Sequence, residues 1–77
     1  MLTETVFFDT VRQVCGRDDI GMSTAFTDLD IDSTQVIELL IEFEIVLNID
    51  VLDDRLNLDE MRTFQDVYDY LAHLMSN

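Results

Sequence analysis

The chain has 77 residues and a formal net charge of −13, with 17 acidic side chains against four arginines and no lysine. That balance excludes nucleic-acid binding, which needs clustered Lys/Arg against phosphates, and it disfavours anionic membranes. A hydrophobic content of 48%, two glycines and no proline indicate one small helical domain over residues 1–77, not a disordered tail.

The first residues, Met1 to Thr5, carry no basic region and no long apolar run. The expectation is no signal peptide, no membrane span and a cytoplasmic protein. Thr3 is a fair N-cap, and Glu4 suits a first helical turn. Phe7, Val11, Val14 and Cys15 follow at helical steps, with Arg12 and Gln13 outward. Gly16 closes this helix. Cys15 is the single cysteine, so no internal disulfide can form; it reads as a core residue.

Arg17 to Ile31 is a long connection rich in turn formers: Asp18-Asp19, Gly21, Ser23-Thr24 and Asp28. Ile20, Phe26, Leu29 and Ile31 are apolar anchors within it. A loop of this length in a small domain is often functional.

Asp32 to Leu47 is the longest apolar-rich stretch. Asp32 is the predicted N-cap, and Gln35 three residues on can complete a capping box. Ser33 then occupies the first helical position, where free N–H groups and partial positive charge favour a phosphate. Leu39, Leu40, Phe43 and Leu47 form a core set at helical spacing. Ile37 and Ile41 follow Ser33 at i+4 steps and are expected to stay partly exposed beside it. Glu38, Glu42 and Glu44 cover much of the rest. An exposed serine, an isoleucine ridge and flanking glutamates have the character of a docking surface for basic proteins. The plainer reading of the acids is solubility.

Asn48-Ile49-Asp50-Val51 breaks the helical pattern. Leu52, Leu56, Leu58 and Met61 then predict a short helix from Leu52 to Met61. Thr63 with Asp66 opens the last helix as a cap and an acid three residues on. Phe64, Val67, Tyr68, Leu71 and Met75 make its core face, and His73 falls near its C-terminus. The expected fold is all-α: a small four-helix bundle with a long loop between helices 1 and 2 and a short third helix.

Catalytic readings fail on residue type. Asp28, Asp30 and Asp32 sit at positions one, three and five of a calcium loop. Ser33 then stands where the loop needs glycine, and Leu39 where it needs a bidentate glutamate. A serine hydrolase needs a base, and the one histidine lies far along the chain with no Gly-x-Ser-x-Gly elbow. No zinc spacing and no phosphate-cradling glycine loop is present. The residues read as a non-enzyme without a metal site.

The order of elements and the stretch Phe26-Thr27-Asp28-Leu29-Asp30-Ile31-Asp32-Ser33 resemble the acyl carrier proteins of fatty-acid, polyketide and peptide synthesis. The resemblance spans nearly the whole chain, including its length and charge. It is carried by Asp32-Ser33, Val36, Glu38-Leu39 and Glu44, and by Phe64 to Leu71. A bare Asp-Ser pair is a weak motif; the same pair opening an acidic helix after a long loop is a strong one.

The resemblance implies that Ser33 takes 4′-phosphopantetheine from coenzyme A through a separate phosphopantetheinyl transferase. Acyl groups would then ride on the arm's thiol as thioesters. It implies that Asp32 is the acid beside the modified serine. It also implies that Thr34, Ile37, Glu38, Ile41 and Glu44 form the face that meets the basic patches of acyl-loading and acyl-transferring enzymes. Four departures stand out. Thr34 replaces a usual leucine, Asp30 stands where glycine is common, Ile49-Asp50-Val51 lacks a proline, and Asp53 to Arg62 is long. They point to a specialised carrier. Val14-Cys15 and Asp19-Ile20 also resemble the D-alanyl carrier proteins. The alternative from another class is an unmodified acidic adaptor that binds basic proteins. A monomer is expected in either case.

Overall fold

The computed structural model describes residues 2–52 and 56–76. Helix α1 runs Glu4–Cys15, α2 runs Ser33–Leu47 and α3 runs Phe64–Met75. Two 3-10 turns, Phe26–Leu29 and Leu58–Glu60, lie in the connections. Among the described residues the regular structure is helical, and the one β-type pairing is a single antiparallel bridge between Ala25 and Thr63.

Each α-helix begins on the predicted cap. The Thr3 hydroxyl accepts from the Val6 N–H at 3.2 Å. Thr63 Oγ1 accepts from the Asp66 N–H at 3.2 Å, while Asp66 Oδ2 accepts from the Thr63 N–H at 3.1 Å, which closes a capping box. Helix α1 stops at Gly16, whose φ of 68° is left-handed backbone that glycine adopts without a Cβ penalty. Its N–H returns to the Arg12 carbonyl at 2.9 Å.

Phe7 joins the three helices. Its ring stacks on Phe43 of α2 at 5.3 Å between centroids and meets Tyr68 of α3 edge-on at 5.3 Å. Val11, Leu39, Leu40, Val67 and Leu71 fill the same core. Leu47 and Tyr68, expected inside, are half-buried at its rim, Met75 is half-buried, and Val36 is buried. Cys15 is half-buried too, and desolvation pushes its thiol pKa up despite the opposing charge of Arg17.

Residues 16–32 are held by more than apolar anchors. Phe26 is buried and packs edge-on against Phe64 at 4.7 Å. Its N–H donates to the Arg62 carbonyl at 2.9 Å, Phe64 N–H donates to Thr24 at 3.3 Å, and Gln65 N–H donates to Met22 at 2.9 Å. The long connection is therefore sewn by its backbone to the start of α3. Ile20, Leu29 and Ile31 pack half-buried against the core.

The stretch expected as a helix from Leu52 to Met61 differs from that expectation. Its described part forms only the 3-10 turn Leu58–Glu60, and Asp53, Asp54 and Arg55 lie outside the described residues. Asn57 supplies the reason. Its side-chain oxygen accepts from the Asp59 N–H at 3.1 Å, so it starts a new turn and does not continue a helix.

Candidate functional site

The site is built at the start of α2. Asp32 is the N-cap, with extended backbone; its Oδ1 accepts from the Gln35 N–H at 2.9 Å. Gln35 Oε1 accepts in return from the Asp32 N–H at 3.2 Å. This reciprocal pair fixes where the helix begins. Ser33 is therefore the first helical residue, and it is exposed, as are Asp32 and Thr34. The 3-10 turn before it ends on Asp30 with φ 56°, which aims the chain into α2.

Ser33 lies on the rim of a groove of about 430 Å³. Phe26, Ile31, Val36, Leu58 and Met61 give it apolar walls, and Asp32, Asp59 and Arg62 give it charge. Three separate segments thus meet beside one serine hydroxyl. Neither Met61 nor Arg62 was a sequence candidate. Their nearness to Ser33 depends on the backbone bonds between residues 22–26 and 62–65, which no periodicity announces.

The rest of the predicted face divides. Ile37 is half-buried and Ile41 42% exposed, so these two continue the line below Ser33, and Glu38 is exposed beside it. Ile45, one turn further, is 70% exposed and extends the apolar ridge. Glu44 is half-buried, and its carboxylate is committed to the next segment. Its Oε2 accepts from the Val51 N–H at 3.0 Å and the Leu52 N–H at 3.3 Å. It braces the chain after α2, a task the sequence reading did not assign to it.

Asp28, Asp30 and Asp32 do not converge. Asp28 lies in a 3-10 turn, Asp30 caps it, and Asp32 caps α2. Among the described residues no group of three or more His, Cys, Asp or Glu side chains is placed to hold a metal ion. No described helix is long and apolar enough to cross a membrane.

No protein-family model matches this chain, and no curated protein or solved structure matches it either.

Proposed function

We propose that this chain is a cytoplasmic carrier protein of the acyl carrier type, specialised rather than housekeeping. In this reading Ser33 bears a 4′-phosphopantetheine arm, and the protein is a monomeric carrier with no catalytic activity of its own. In this reading the three α-helices are the long helices of the family's arrangement, and residues 56–61, with their 3-10 turn, stand in for its short third helix.

The observation that carries the reading is the position of Ser33. An exposed hydroxyl at the first residue of a capped helix, on the rim of an apolar groove, suits a tether and not a core role. The residues fit the group. The helix start favours a phosphodiester by its dipole and free N–H groups. The hydroxyl is open to an external transferase, so it needs no base within this chain. When attached, the arm supplies a terminal thiol that carries an acyl or aminoacyl group as a thioester. Thr34, Ile37, Glu38 and Ile41 then present a mixed apolar and acidic face to basic partner enzymes.

Intact mass after incubation with coenzyme A and a broad-specificity phosphopantetheinyl transferase tests this. One arm should be added to the wild type and none to Ser33→Ala. No added mass would leave the acidic adaptor as the better reading.

A further inference from the structure

Arg62 is the cationic side chain of the Ser33 groove. Its backbone is held from two sides: its N–H donates to Asp66 Oδ2 at 3.0 Å, and its carbonyl accepts from the Phe26 N–H at 2.9 Å. The root of the side chain is thus fixed relative to the groove wall. Arg12 pairs with Asp9 and Arg17 with Asp19. The Arg62 guanidinium makes no ion pair with a described residue; Nε donates to the Asp59 carbonyl at 3.4 Å, and among the described residues the fork's outer edge is uncommitted.

What this fork could hold is decided by charge. Asp32 and Asp59 line the same groove, so two carboxylates oppose one guanidinium there. A freely diffusing anion gains little from entering. An anion bonded to Ser33 is different, because the tether supplies a high local concentration whatever the intrinsic affinity. A guanidinium matches phosphate oxygens in bidentate fashion, which an ammonium does not.

We propose that Arg62 is a positioning residue for the phosphate esterified to Ser33, holding the root of the arm across the apolar groove. This rests on the carrier reading above and adds a residue to it.

The test uses the full-length holo protein with 31P NMR of the phosphodiester and thermal melting of apo and holo forms. Wild type, Arg62→Lys and Arg62→Gln are compared. The expected result is a 31P resonance displaced in Arg62→Gln from its wild-type position, with Arg62→Lys between the two. The displacement should shrink as salt rises from about 0.05 to 0.5 M, since exposed pairs are screened. The apo forms should melt together, which separates positioning from a structural role. One 31P position shared by all three proteins overturns the proposal. So does a dependence on Arg62 that appears only when the arm carries an acyl group ending in a carboxylate, because the fork would then be reading cargo. Absence of any added mass defeats the carrier reading itself; added mass with an unmoved resonance defeats only this inference.

Discussion

Glu44 reaches from the later turns of α2 to the Val51 N–H, which its carboxylate accepts at 3.0 Å. The Tyr70 hydroxyl of α3 donates to the Val51 carbonyl at 2.7 Å. Val51 is fully buried, and both of its backbone polar groups are satisfied by side chains from different helices. The segment after α2 is thus clamped between α2 and α3.

Breaking that clamp leaves a part-buried N–H without a partner. Glu44→Ala should lower the unfolding free energy by about 1–3 kcal/mol. Glu44→Gln should lose less, because its amide oxygen still accepts. Urea denaturation followed by circular dichroism measures both. A Glu44→Ala protein as stable as wild type would show that the bond contributes nothing.

Glu38 is the clean probe of docking, because it is exposed and, among the described residues, bonds to no backbone group of the next segment. Glu38→Lys should slow modification of Ser33 several-fold at low salt, with the difference fading as salt rises. Its stability should stay within about 0.5 kcal/mol of wild type. A mass-resolved time course reads the rate. Equal rates at low salt would move the docking face off this line.

Asp30 holds a left-handed conformation, with φ 56°. A side chain there strains against its own backbone, and glycine does not. Asp30→Gly should raise stability by up to about 1 kcal/mol, the relief being reduced by the greater freedom of the unfolded glycine. Gly16→Ala should do the reverse and cost about 1 kcal/mol. A Cβ at Gly16 would meet nothing within 4 Å, so only the φ of 68° opposes it. Urea midpoints of the two variants should move in opposite directions.

Arg17 grips Asp19 through two bonds, Nε to Oδ1 at 3.0 Å and a terminal nitrogen to Oδ2 at 2.8 Å. This bond holds the Asp19 carboxyl below its usual range. A depressed folded value means the pair favours the fold above the ordinary aspartate pKa, and that this is lost as pH falls through the lowered value. Both groups are open to water, so the effect belongs in a titration curve rather than a stability curve. Carboxyl-detected NMR should place the Asp19 midpoint below the usual aspartate range, and Arg17→Ala should raise it. An Asp19 midpoint unmoved by that substitution would dissolve the pairing.

The helix starts were legible because capping is local chemistry. Thr3, Asp32 and Thr63 each sit within three residues of the amide they receive. The open line Ser33, Ile37, Ile41 was legible for the same reason, since helical spacing alone orders it. The stretch from Leu52 to Met61 misled because its apolar spacing suits a helix, while Asn57 breaks the described part into a shorter turn. The burial of Val51 went unread because a buried residue in irregular chain carries no period; its backbone bonds to Glu44 and Tyr70 appear only in the tertiary structure.

From the residue order alone came an acidic all-helical chain, its caps, and a serine standing at the entrance of its longest helix. Those are short-range consequences of side-chain shape and charge. The tertiary structure alone decided that Glu44 braces the segment after α2, that Arg62 and Met61 arrive beside Ser33, and that the long connection is sewn to α3. Such contacts join residues far apart in the chain, and they form only once packing around Phe7, Phe43 and Phe64 brings the backbones together.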